Sequence, residues 1–165
     1  MADYVFRPVT DGDIEYLANN MRQQDMDEVY AATGSSQLAA ILRQSVTESA
    51  LLVSVEYDGR LLCIGGAASQ SLLSCTGIPW MLGTNELSWH SALFVRHGKR
   101  CISELLTRFE RLENHVDARN TKSVRWLRSI GFTVDDPQPY GAFGLPFRRF
   151  SAVRPCLKSD KLTMK

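Results

Sequence analysis

The 165-residue sequence lacks any apolar run approaching the roughly 18 residues that cross a bilayer, so no transmembrane helix is expected. Met1–Pro8 carries neither a basic head nor an apolar stretch, and no secretory leader is expected. Cysteine is sparse: Cys63, Cys75, Cys101 and Cys156 have no CxxC spacing. Two of the four sit in apolar-patterned segments, where a buried, reduced thiol is the expectation rather than a disulfide or a metal ligand. His90, His97 and His115 likewise have no metal-like partner spacing. Internal repeats and low-complexity stretches are missing. These absences describe a cytosolic, reduced, metal-free protein. Net charge is nearly absent too, since 19 basic and 18 acidic side chains sum to +1, and bulk charge names no partner.

What is present is ordinary globular composition, 44% hydrophobic and 22% charged, with enough chain for one domain and a real core. The near-zero charge conceals a polarity. Residues 1–59 hold 3 Lys/Arg against 10 Asp/Glu, a balance of −7, and residues 60–165 hold 16 against 8, a balance of +8. The chain is acidic first and basic after.

Tyr4-Val5-Phe6-Arg7 reads as a short strand ending at Pro8. Thr10 is placed to cap a helix, with Asp13 as reciprocal partner, and Ile14, Leu17 and Met21 form one apolar stripe on an acidic helix that runs toward Tyr30. Thr33-Gly34-Ser35-Ser36 opens a second helix with Leu38, Ile41 and Leu42 on one face. Residues 50–57 and 60–68 are strands joined by Asp58-Gly59, a pair that tolerates positive φ at both turn positions. A short strand over 78–84 follows. Trp89, Leu93, Ile102, Leu105, Leu106, Phe109 and Leu112 then keep helical spacing from about Ser88 to Arg111, with Gly98 as the soft point. Residues 112–118 read as a strand. Asn120 caps a helix whose Val124, Leu127 and Ile130 share a face, and Gly131 is placed for a left-handed end. Strands near Phe132–Val134 and Phe147–Val153 flank a turn-rich stretch at 135–141. The expectation is an α/β (α+β) fold, a mixed, largely antiparallel sheet flanked by helices, in a single domain over 1–153. Residues 154–165 form a basic tail.

The run Asn120-Thr121-Lys122-Ser123-Val124-Arg125-Trp126-Leu127-Arg128-Ser129-Ile130-Gly131-Phe132 resembles the Asn-x-x-Ala-Ile-x-Leu-Tyr-x-x-x-Gly-Phe signature of the acetyl-CoA-dependent N-acetyltransferase (GNAT) superfamily. The element order over 4–153 is similar to that fold as well. The resemblance implies a glycine-rich turn whose bare N–H groups hold the cofactor pyrophosphate at a helix start. The matching stretch is His97-Gly98-Lys99-Arg100-Cys101-Ile102, where Arg100 and Ile102 stand at the positions that call for small residues. Helical spacing reads the same stretch as a basic exposed helix face. The superfamily's general acid, a tyrosine, falls at Leu127, which transfers no proton. Tyr140 is the candidate substitute, and Glu86 is a candidate base or a simple partner for a helix dipole.

A narrower resemblance covers residues 60–134. Trp80-Met81-Leu82-Gly83-Thr84, Trp89, Leu112-Glu113-Asn114-His115-Val116-Asp117-Ala118-Arg119-Asn120-Thr121 and Arg125-Trp126-Leu127-Arg128-Ser129-Ile130-Gly131 resemble the small internal virion protein family of short-tailed T-odd coliphages. That family has an acetyltransferase-like fold and is associated with virion morphogenesis. The resemblance implies a non-catalytic phage protein without cofactor, located in the virion interior and the infected host cytoplasm, with other virion or assembly proteins as partners. The alternative is an active N-acetyltransferase that binds acetyl-CoA through Arg96, Gly98, Lys99, Arg100 and Asn120 and uses Glu86 and Tyr140 for proton transfer. A third reading is nucleic-acid contact, since residues 88–128 hold nine basic against four acidic side chains around Trp126; the expectation is against it.

Overall fold

Asp58 and Gly59 adopt φ of 50° and 71°, and this turn folds strand β2 (Ser49–Tyr57) onto β3 (Arg60–Ser69) in the hairpin the sequence predicts. The structure, a computed structural model, describes residues 4–69, 71 and 74–155. Cys156 and the expected tail beyond Pro155 lie outside the described residues. Strand β1 (Tyr4–Arg7) adds to β2, and β4 (Thr76–Gly83) adds to β3, both antiparallel. Strand β5 (Arg111–Asp117) joins β4 in parallel through Thr76–Arg111 and Gly77–Leu112, beyond which the two strands part. Strand β8 (Leu145–Val153) runs antiparallel to β5 and also pairs with β6 (Thr133–Val134) and β7 (Gln138–Tyr140). The result is one mixed, largely antiparallel sheet of eight strands.

The helices divide between its faces. Helices α1 (Asp11–Asn20) and α3 (Leu38–Glu48) pack Ile14, Leu17 and Leu42 against Leu61 and Ile64 on one face, and α2 (Gln23–Thr33) lies beside them. Helices α4 (Ser91–Arg108) and α5 (Thr121–Ile130) pack Ile102, Leu106, Val124 and Leu127 against Leu112, Val116 and Phe150 on the other. Leu17, Leu42 and Leu112 are fully buried, each worth about 2 kcal/mol of transfer free energy.

The acidic and basic halves of the sequence therefore become opposite faces. Within α1–α3 there are seven acidic side chains and one basic; within α4 and α5 there are seven basic and one acidic.

Local signals behave as their chemistry requires. The Thr10 hydroxyl accepts from the Asp13 N–H, and the Asp13 carboxylate accepts from the Thr10 N–H at 2.8 Å, closing the capping box. Asn120 accepts from the Ser123 N–H at 3.2 Å, and Gly131 ends α5 at φ 113°. Arg154, where the tail was expected to begin, donates to the carbonyls of Leu106 and Thr107 and so caps the end of α4.

Three expectations change. The first acidic helix does not run to Tyr30 but ends at Asn20. Met21 is extended and bridges Thr84, the Arg22 N–H donates to the Gly83 carbonyl at 3.0 Å, and α2 starts afresh. The helix expected from Ser88 begins instead as a 3-10 turn over Asn85–His90 and becomes α4 at Ser91. With three residues per turn, that segment buries Leu87 and swings Trp89 outward to 87% exposure, although Trp89 stands at helical spacing from Leu93. Cys101, in an apolar-patterned segment like the buried Cys63, is exposed on α4.

Candidate functional site

The parting of β4 and β5 opens a cleft of about 700 Å³ that is lined from both faces of the sheet. Trp80, Met81 and Leu82 form its β4 wall, and Asn114, His115 and Val116 its β5 wall. The Asn114 amide donates to the Pro79 carbonyl at 2.9 Å, a bridge placed just past the last paired residues. His115 and Tyr140 stack face to face with centroids 3.9 Å apart. Burial lowers the His115 pKa, so the ring is neutral at pH 7.

Helix α2 closes one side of the cleft with carboxylates. Asp25 is buried, accepts from Arg22 Nε at 2.7 Å and from the Gly83 N–H at 2.8 Å, and is shifted upward by burial despite the arginine. Glu28 accepts from the Asp117 N–H at 3.3 Å and from Asn120 Nδ2 at 3.4 Å, tying α2 to the β5–α5 corner. Burial, with the Asp25 charge adding to it, pushes the Glu28 carboxyl up to about 7. A carboxyl that titrates at neutral pH in an open cleft can take a proton from a bound group and return it.

On the other face lies Trp126, whose Nε1–H is buried without a hydrogen-bond partner among the described residues although its ring lines the cleft. An unmet donor there suits a ligand or a water with an acceptor oxygen.

Of the residues singled out from sequence, Tyr140, Asn120 and Gly98 line this cleft. Glu86 does not; it sits in the 3-10 turn and pairs with Arg60 at 3.2 Å in solvent. Arg96, Lys99 and Arg100 lie on the exposed side of α4, with Arg100 paired to Glu104 one turn on. Gly98 is buried mid-helix, where an added Cβ would come 2.6 Å from Ile130 Cγ2. The glycine there permits close approach of α4 and α5. Gly98→Val should accordingly lower stability by about 2 kcal/mol through overpacking, with Ile130→Ala in the same chain recovering part of it. Urea unfolding of the two single variants and the double variant reads this coupling, and strictly additive losses would contradict it.

Sequence reasoning missed Glu28 and His115. An acid on an amphipathic acidic helix looks like solvated surface, and no local signal marks it as facing β5.

No protein-family model matches the chain, and no curated protein sequence matches it. Solved structures do. A spermidine N-acetyltransferase from Vibrio cholerae in complex with CoA and spermine superposes with a TM-score of 0.66 at 14% identity, covering 92% of this chain and 95% of that one. The acetyltransferase of the GNAT family from Streptococcus pneumoniae gives 0.63 at 14%, covering 92% and 99%. The ribosomal-protein-S5-alanine acetyltransferase from Vibrio fischeri gives 0.63 at 15%, covering 94% and 95%. The chain has the GNAT acetyltransferase fold.

The cofactor of that fold can be tested against these residues. The divergent strands and the orphan Trp126 donor would accommodate an acyl-thioester arm. The pyrophosphate cradle does not fit. Bare N–H groups are exposed at the start of a helix, whereas Gly98-Lys99-Arg100 lies in the middle of α4 with its N–H groups committed to the helix. The turn that does precede α4 contains no glycine and carries Glu86, which repels phosphate.

Proposed function

We propose that this chain is a non-catalytic internal virion or morphogenesis protein of a short-tailed bacteriophage, using an acetyltransferase scaffold for contact with other virion and assembly proteins. It would reside in the virion interior and, before packaging, in the host cytoplasm. The observation that supports this best is the start of α4, where a glycine-free 3-10 turn with a carboxylate stands in place of a phosphate-binding loop. The similarity of residues 60–134 to the small internal virion protein family supports the phage assignment. Calorimetric titration with acetyl-CoA is expected to show no binding at tens of micromolar, and micromolar affinity would overturn the non-catalytic reading. Quantitative mass spectrometry of purified particles and assembly intermediates should detect the chain at fixed stoichiometry. Its absence from both would remove the virion role.

One observation favours a second reading, an N-acetyltransferase acting on an amine. Glu28 titrates near 7 beside the cleft, where it could deprotonate an ammonium group, with Tyr140 and neutral His115 near the same space. Assays with acetyl-CoA on polyamines and protein N-terminal amines separate the two. On this reading turnover rises with pH through about 7 and is lost in Glu28→Gln.

A further inference from the structure

Two features on opposite faces of the sheet stand apart from the cleft, Arg108 excepted, which lines it. On the basic face, all seven cationic side chains of α4 and α5 are exposed, and Arg100 alone among them makes an ion pair with a described residue. At the head of α4, Trp89 is 87% exposed, an indole held in water by the 3-10 turn beneath it. An exposed tryptophan at the head of a helix that carries unpaired arginines further along is the composition of an interface rather than of an inert surface.

The acidic face offers the complement. Asp11, Glu15, Asp27 and Glu48 are exposed there, with Arg43, the one cation within α1–α3, paired to Glu15 and at 3.9 Å to Asp11, which leaves the face net negative. Between α1 and α3 lies a shallow hollow of about 400 Å³, lined by Ala18 and Asn19 of α1, by Gln37, and by Leu38, Ala39 and Ala40 at the start of α3. Glu15, paired to Arg43, stands one helical turn before Ala18 and Asn19 of the hollow's lining. The hollow's volume exceeds that of an indole, and Ala18, Ala39 and Ala40 are among the residues that line it.

We infer that a second copy of this chain docks head to tail, placing its Trp89 in the hollow between α1 and α3 while its basic α4–α5 face meets the acidic α1–α3 face. Each molecule then carries one knob and one socket on opposite sides. The contact is heterologous, and it propagates into a ring or a filament rather than closing as a two-fold dimer. Charge complementarity within one chain favours a second copy over nucleic acid, which would meet the basic face but find the acidic one repulsive. This assembly does not depend on whether the cleft binds a cofactor.

Sedimentation velocity of the full chain should show concentration-dependent growth beyond dimer at about 50 mM salt that weakens at about 500 mM. Trp89→Ala removes the knob, and Ala40→Arg fills the socket with a charge that repels the basic face. Both positions are exposed, so both variants should fold as the parent does. Each variant alone should lose roughly thirtyfold in association constant, the size of a tryptophan hot spot. Mixed, they should form a one-to-one dimer that grows no further, because one intact knob and one intact socket remain. A parent chain that stays monomeric at all concentrations overturns the proposal. So does either variant assembling as well as the parent, or mixed variants that do not pair. Assembly that appears only on adding DNA assigns the basic face to nucleic acid instead and also overturns it.

Discussion

Asp13→Ala is expected to remove about 3 kcal/mol of folding free energy, the lower end of what breaking a buried ion pair costs. Asp13 is 6% exposed and its carboxylate accepts four hydrogen bonds from three groups. It takes two bonds of 2.7 Å from the Arg7 guanidinium, the Thr10 N–H at 2.8 Å and the Ser54 hydroxyl at 3.1 Å. Its loss strands a buried serine hydroxyl, opens the cap of α1, and leaves Arg7 with Glu56 as its remaining ion-pair partner. The Arg7 guanidinium holds the Asp13 carboxyl far below its ordinary value of 3.8. A depressed folded-state pKa adds stability that is complete above the unfolded value and is lost as pH falls below about 4. The parent should therefore lose stability steeply below that pH, while Asp13→Asn, which carries no charge to lose, should show a shallower acid limb. Urea midpoints from pH 2 to pH 7 measure both effects. Equal acid limbs would show that Asp13 is not what acid titrates.

Glu28→Gln should stabilise the protein at alkaline pH by about 2 kcal/mol and do little near pH 4. The carboxyl moves from 4.5 to about 7 on folding, mainly through burial. Each tenfold gain in proton affinity corresponds to about 1.4 kcal/mol, reduced here because the group faces an open cleft. The sign is opposite to that of Asp13. A raised folded-state pKa means that the folded chain holds the proton more tightly, so the group's favourable contribution is present below 4.5 and is lost as pH rises through about 7. Glutamine mimics the protonated acid and still accepts from the Asp117 N–H and Asn120. Thermal or urea unfolding at pH 5 and pH 8 should give a difference between variant and parent that grows with pH. A pH-independent difference would mean that Glu28 is solvated in the folded state.

The contrast between these two acids shows what the sequence could and could not convey. Asp13 was legible because its first partner is three residues away, and Thr-x-x-Asp is a local pattern with a local cause. The Asp58-Gly59 turn and the Asn120 and Gly131 ends of α5 were legible for the same reason. Glu28 takes its character from burial in the cleft against Asp117 and Asn120, about ninety positions along the chain. The break at Met21 is equally non-local: no proline or glycine marks it, and it exists because the end of β4 offers Thr84 and Gly83 to the passing backbone. Trp89 misleads for a different reason. Its spacing fits one helical period, but the segment winds with another, and a phase change over six residues turns a core position into a surface one. Strand β7 lay hidden in a stretch whose prolines and glycine read as pure turn, since Pro139 can sit on an outer strand.

The short pairing between β4 and β5 has a mechanical meaning. Thr76 and Gly77 fasten β1–β4 to β5–β8, so the sheet behaves as two plates meeting along a seam rather than as one continuous slab. The Asn114–Pro79 bridge sets the angle near the seam, α2 straps the open end through Glu28, and the Gly98–Ile130 contact joins the helices behind. Stress applied to either plate concentrates on these few bonds. A partner gripping the acidic face and another gripping the basic face would thus act on the aperture between the plates.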